Sequence, residues 1–551
     1  MLRHQDTATQ VDAGTGADAA PELLIVGAQI ADGSGGPLFA GDVLVANGRI
    51  LAVSPPGTHG EAPGRRLIRA SGRVLSPGFI DVHSHADLSP LLPEPDLTKL
   101  LQGVTTEVIG NCGSTLAPVT PQRAELLAGT IGRTFPEVIG DWHTFAEFLS
   151  ALDSAGYVTN VCPLVGHSAL RIEQFGVDDR PATPDDLAGM RSSLSAALDA
   201  GAFGCSAGLI YAPGAYSDQA ELVGLARVLS AEHTFAVHMR NEADAVLRSI
   251  AEVGAIGAGS GARMQISHLK NSGRDNWGRA GAALAAIEGL RADGVDVSCD
   301  VYPYLAASTR LTACLPPWAL DGGAAATLGR LGDPAACAAI RAELLAPEAP
   351  AWESSIHNAG FDGVVVASSA SHAFDGHSLL EIGQQLGMDP LDALLHVLRS
   401  EELRVTMLEF SMGEEDLSDI LRSPHAMIAS DGTPVGLGGL PHPRLTGTFP
   451  MVLGRYVRTL GVLDLPTAIW KMTGQPAATF GVPERGRIRA GWVADLVCFD
   501  AERVAPGGGY RDPWLAPVGI DWVMQAGRVV VADGQWCGEK HGDRLLPAHR
   551  G

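Results

Sequence analysis

From residue 23 to about 55 the chain reads LLIVGAQIADGSGGPLFAGDVLVANGRILAVSPP, short Val/Ile/Leu runs broken by Asp-Gly, Gly-Gly and Asn-Gly. Such pairs mark hairpin turns between strands. The pattern predicts a small all-β module over 23–75. A similar texture returns in GRIRAGWVADLVCFD (486–500) and WVMQAGRVVVADGQW (522–536). Neither end holds enough apolar strand to fold comfortably alone. The expectation is therefore one small β-sandwich built from both chain ends, 23–75 and 481–551, with the central region inserted between them.

Across 76–480 the period changes. Apolar runs at TTEVIG, VCPLVGH, AFGCSAG, FAVHMR, MQISHLK, VDVSCDVYPY, RVTMLEF and AMIASDG read as strands. Amphipathic stretches such as DDLAGMRSSLSAALDAG and AGAALAAIEGLRADG lie between them and read as helices. Strands alternating with helices predict an α/β fold, a (β/α)8 TIM-like barrel whose chemistry sits at the C-terminal ends of the strands. Residues from about 315 to 370 break the alternation with a Pro- and Ala-rich segment, expected to be an insertion over the barrel mouth. The first 22 residues have no apolar pattern and read as a disordered tail.

Polar residues at strand ends then change the picture. In SPGFIDVHSHADLSP (76–90) an apolar run ends in His83-Ser84-His85. Residues i and i+2 of a strand point the same way, so the two imidazoles project together. Alone, such a pair is as readily a solvent-facing cap as half of a metal site. Other runs end similarly: Cys112 follows TTEVIGN, His238 follows FAV, His268 follows QIS and Asp431 follows MIAS. Each has a plain reading as a buried thiol, a core histidine or a turn. Together they favour a shared metal, because polar groups buried at strand ends need partners. Imidazole and thiolate suit Zn2+. Zinc lowers the pKa of a bound water to about 7, and Asp431 is placed to carry its proton to a leaving group. The set implies metal-assisted hydrolysis. Lys99 reads as a surface helix residue, and Glu107, within a strand, is a weaker rival to Cys112.

Composition narrows the class further. The 551 residues are 46% hydrophobic and carry a net charge of -23, with acidic residues scattered. That field disfavours nucleic-acid and anionic-membrane partners. The 8 cysteines include no CxxC pair, which argues against zinc ribbons and disulfide frameworks. With no secretory h-region and no bilayer-length apolar run, the expectation is a soluble cytoplasmic protein acting on a small molecule.

The chain resembles the amidohydrolase superfamily, and within it the N-acyl-D-amino-acid deacylases (D-aminoacylases). The resemblance runs from residue 23 to the C-terminus. It rests on PGFIDVHSHAD, GVTTEVIGNCG, PLVGHSALR, GLIYAPGAYS, HMRNEAD, QISHLKNSG, DVYPYLAASTRL, SDGTP, HPRLTGTFPMVLGRYVR and GRIRAGWVADLV. It implies a tight zinc site at Cys112, His238 and His268, with the thiolate able to bridge to a second, looser position at His83 and His85. Asp431 would be both ligand and general acid/base. Lys270, Tyr302 and Arg444 would clamp the substrate carboxylate, and Tyr211 would polarise the scissile carbonyl. His167 reads as a supporting residue, and His442 as a brace for Arg444. The implied activity is hydrolysis of N-acyl-D-amino acids. The alternatives are a cyclic-amide hydrolase of the hydantoinase or dihydroorotase type, which usually bridges its metals with a carboxylated lysine, and a scaffold that has lost its metal. The substrate side chain stays open between an acidic one met by Arg310 and an apolar one met by Leu311 and Leu315.

Overall fold

Asn47 and Gly48, both at positive φ (50° and 76°), make the tight turn that the Asn-Gly pair predicts. They join strands Phe39–Ala46 and Arg49–Ser54 in antiparallel register, and Phe39–Ala46 also pairs with Leu23–Ile30. Val74–Pro77 then pairs antiparallel with Leu496–Phe499, Leu75 facing Cys498. Ile520–Gln525 and Arg528–Ala532 extend the same sheet. The chain ends thus share one nine-stranded sheet, over a core that includes Ile25, Val43, Leu75, Leu496 and Trp522. The computed structural model describes residues 22–60, 64–130, 140–346, 352–433 and 438–548. The tail expected over 1–22 lies outside them, Glu22 excepted.

Eight parallel staves form the barrel. They are Phe79–Asp81, Val104–Ile109, Asn160–Pro163 (running on into Val165–Gly166), Gly204–Gly208, Thr234–His238, Arg263–Ile266, Val297–Val301 and Ala426–Ile428. Each pairs in parallel with its neighbour. A parallel bridge between Ser84 and Gly432 joins the last stave to the first. Between staves lie helices such as Pro184–Asp199, whose start is fixed by a capping box on Thr183. No helix among the described residues is long and apolar enough to cross a membrane.

One expected stave belongs elsewhere. RVTMLEF does form a strand, Val405–Glu409, but it runs antiparallel between Ala307–Arg310 and Val364–Ser369. It packs in a second core that draws on Leu311, Leu344, Val366, Leu394 and Met407. The His-x-His strand supplies the stave instead. An apolar run reports burial, and a strand buried in a satellite core carries the same signal as a barrel stave. The satellite unit reaches beyond 315–370 on both sides and sits over the C-terminal ends of the staves.

Candidate metal centre

All six candidate ligands leave the staves at their C-terminal ends, and three sit in left-handed backbone: Cys112 (φ 53°), His268 (φ 36°) and Asp431 (φ 50°). Such positions cost a non-glycine residue about 1–3 kcal/mol each and concentrate at functional sites. The crowding is tight enough to demand glycine nearby. A Cβ on Gly208 would lie 2.3 Å from the Cys112 carbonyl and 2.9 Å from the Tyr211 ring. Asp81 ties the first and last staves together, accepting hydrogen bonds from the backbone amides of His83 (3.2 Å) and Ser430 (2.9 Å).

The donor atoms converge at ligand spacing. Cys112 Sγ lies 3.3 Å from His83 Nε2, 3.7 Å from His238 Nδ1 and 3.7 Å from His268 Nε2. Zn–S near 2.3 Å and Zn–N near 2.0–2.1 Å in tetrahedral array put ligand atoms about 3.5 Å apart. Asp431 Oδ1 is 3.1 Å from His85 Nε2 and 3.4 Å from His83 Nε2, forming a second group beside the first. The donor atoms of His83, Cys112 and His268, and those of His83, His85 and Asp431, each lie within 4.8 Å of one another, and His238 joins the first set through Cys112, so the residues fit two neighbouring metal positions. His83 and Cys112 stand between the two. Cys112→Ala is expected to weaken metal retention by more than the roughly 10–100-fold typical of losing an outer partner. Metal analysis of the purified variant checks this, and full retention would assign the ion to other residues.

The electrostatics hold the thiol and the carboxyl of the cluster ionised. Burial pushes the Cys112 thiol up, but the His83 charge and hydrogen bonds from His238, His268 and His83 outweigh it, so its pKa falls well below that of a free thiol. Burial likewise opposes the Asp431 charge. Arg444, His83 and His268 overcome it and hold the carboxyl well below the usual range. Thiolate and carboxylate are the states a metal binds.

Several supporting residues escaped the sequence reading. Glu242, four residues after His238, has Oε1 2.9 Å from His268 Nδ1 and accepts from Lys270 Nζ at 2.6 Å. Asp300 Oδ1 lies 3.4 Å from His83 Nδ1. Carboxylates behind ligating imidazoles fix ring orientation and tautomer. Their spacing from known candidates was the available signal: Asp300 is two residues before Tyr302, and Glu242 lies in HMRNEAD.

Lys99 is a correction. It is 2% exposed, and its Nζ donates to Asp81 Oδ2 (2.8 Å), Ser430 Oγ (2.7 Å), Ser84 Oγ (3.1 Å) and Glu107 Oε2 (3.4 Å). Glu107 also accepts from Ser84 Oγ and Thr159 Oγ1. Both belong to this buried network, and neither lines the cavity that opens on the site.

A cavity of about 320 Å³ opens on the site, and every candidate ligand except His83 lines it, as do the clamp residues and Tyr211. Tyr302 lies between two cations, Lys270 Nζ at 5.7 Å and the Arg444 guanidinium at 4.6 Å from its ring, and its buried hydroxyl has no partner among the described residues. Arg444 also pairs with Asp431 Oδ2 at 2.8 Å. His442 Nδ1 accepts from the Arg444 amide at 2.9 Å, while its Nε2 faces the Ala306 carbonyl. Tyr211 packs 4.9 Å from the His238 ring, with its hydroxyl 2.8 Å from Thr309 Oγ1. Burial, and then the Cys112 charge, raise its pKa well above the usual phenol value, so it keeps its proton. His167 lies deeper, 2.7 Å from Glu221 Oε1. Arg310 and Leu315 reach the cavity; Leu311 belongs to the satellite core.

Residues 334–531 match the family described as Amidohydrolase family. The chain is 36% identical over 517 residues to an N-acyl-D-glutamate deacylase of Alcaligenes xylosoxydans xylosoxydans, covering 92% of this chain and 93% of that protein. Among solved structures, the N-acyl-D-glutamate deacylase of Bordetella bronchiseptica, complexed with zinc and a phosphonate mimic of the tetrahedral intermediate, superposes with a TM-score of 0.79. It is 34% identical and covers 96% of this chain and 100% of that one. A D-aminoacylase with a binuclear metal centre, described by one-metal activation and second-metal attenuation, gives 0.78 at 33% identity over 96% of this chain and 100% of that one. The L-hydantoinase of Arthrobacter aurescens gives 0.53 at 16% identity over 96% and 100%, a likeness of fold.

Proposed function

Because the chain belongs to the N-acyl-D-amino-acid deacylases of the amidohydrolase family, we propose that it hydrolyses the amide bond of N-acyl-D-amino acids with zinc as its cofactor. The products are a carboxylate and a free D-amino acid. One observation carries the reading: a thiolate-imidazole donor set and an adjoining cationic clamp line the same cavity.

Cys112, His238 and His268 would hold the zinc, which would supply Lewis acidity and lower the pKa of a water to near neutral. Lys270, Tyr302 and Arg444 bind the substrate α-carboxylate and so fix the amide over the centre. Tyr211 donates a hydrogen bond to the carbonyl oxygen as it gains negative charge. Asp431 accepts a proton from the attacking water and returns it to the amine nitrogen as the C–N bond breaks. The position at His83 and His85 can take a second metal.

The cyclic-amide reading fits less well. Lys99 is held by two carboxylates and two serines, so it is not free to bridge metals as a carbamate. The test is a panel of N-acetyl D- and L-amino acids beside hydantoins, with and without added zinc. Expected are turnover of D-substrates, loss with chelator and recovery with zinc. Faster opening of hydantoins than of linear amides would overturn the proposal.

A further inference from the structure

Glu409 ends the strand Val405–Glu409 and lines the cavity. It is 4% exposed, its Oε1 is fully buried, and no donor or cation meets that oxygen among the described residues. A buried carboxylate oxygen without a partner is costly unless something arrives to pair with it. A second carboxylate stands nearby. Glu353 also lines the cavity and accepts a hydrogen bond from the Glu242 amide. Burial, then the charges of Glu242 and Glu409, push its pKa up to about 8.

The position of this acidic wall relative to the clamp decides what meets it. Glu353 leans on Glu242, which pairs with Lys270. Glu409 sits opposite Ala307 in register, next to Ser308, whose carbonyl accepts from Arg444 at 3.0 Å. Both acids therefore border the clamp assigned to the α-carboxylate. The substrate Cα is one bond from that carboxylate, so its side chain reaches this wall. With Tyr211 assigned to the scissile carbonyl, the acyl group lies toward that residue instead. Arg310 belongs to that other wall, stacked 5.1 Å over the Tyr211 ring and donating to the Thr130 carbonyl.

We propose that Glu409 is a specificity residue that receives a cationic substrate side chain, making N-acyl derivatives of D-arginine and D-lysine the preferred class. The inference rests on the deacylase reading above. An acidic side chain would bring a further negative charge against Glu409, a repulsive contact that discriminates as effectively as an attractive one.

The experiment measures kcat/KM of the zinc-loaded protein on the N-acetyl derivatives of D-arginine, D-lysine, D-leucine and D-glutamate, then repeats it with Glu409→Gln. The unmodified protein is expected to favour the two cationic substrates over D-glutamate by at least about 100-fold. Glu409→Gln should lower the arginine-to-leucine ratio about 10–100-fold, mostly through KM. Preference for D-glutamate, or turnover of D-leucine with no cationic preference, overturns the specificity inference alone. Turnover of none of the four overturns the deacylase reading itself. The panel on the unmodified protein decides the question even where the variant fails to fold.

Discussion

Asp431→Asn is expected to lower kcat by about 10²–10⁴, the usual worth of a positioned acid/base group, while the Cys112, His238 and His268 set still retains zinc. The substitution keeps the shape of the side chain and removes only its charge and its ability to take a proton. Its oxygens lie 3.1 Å from His85 Nε2 and 2.8 Å from Arg444 Nη1, so the loss falls on proton transfer and on the second metal position together. Measuring kcat beside metal content separates the two. A fall in kcat at full zinc occupancy identifies the proton carrier; an unchanged kcat would move that role to another residue. A fall in zinc equal to the fall in kcat would make Asp431 a ligand only.

Lys99→Met is expected to be the most damaging single change outside the ligands. Burial opposes the Lys99 charge, and Asp81 and Glu107 outweigh it, holding its pKa above the ordinary value. Removing the cation leaves two carboxylates buried without it. Breaking such a pair from one side costs about 3–5 kcal/mol. Lys99→Met/Glu107→Gln removes one charge of each sign and is expected to recover much of that loss. Urea unfolding of the two variants is the measurement. If the single variant matched the parent, the network would carry no stability. The network also grips Ser84 and Ser430, the neighbours of His83, His85 and Asp431, so metal retention at that position should fall as well.

The candidate ligands were legible because each lies within about three residues of the end of an apolar run, and a barrel stave ends where its side chains turn toward the mouth. The residues behind them were not. Lys99 reads as a surface helix residue when only its neighbours are seen. One of its partners, Ser430, lies 331 residues away, and no local pattern encodes that meeting. Glu409 is hidden for the same reason: its strand looks like a stave, and its position in the cavity follows from pairing with Ala307–Arg310. RVTMLEF shows the matching limit on the fold, since periodicity reports a buried strand without naming its sheet. The shared β-domain was readable because both ends carry the same turn chemistry and neither suffices alone.

That shared sheet also sets a timetable for synthesis. Arg73 pairs with Asp521, 448 residues further along the chain. At about 5–20 residues per second, the first strands emerge roughly 20–90 s before their partners exist. Through that interval Ile25, Val43 and Val45, buried in the finished protein, have no completed sheet to cover them. Premature termination before Leu496 is therefore expected to leave the edge of Val74–Pro77 unpaired and open to aggregation.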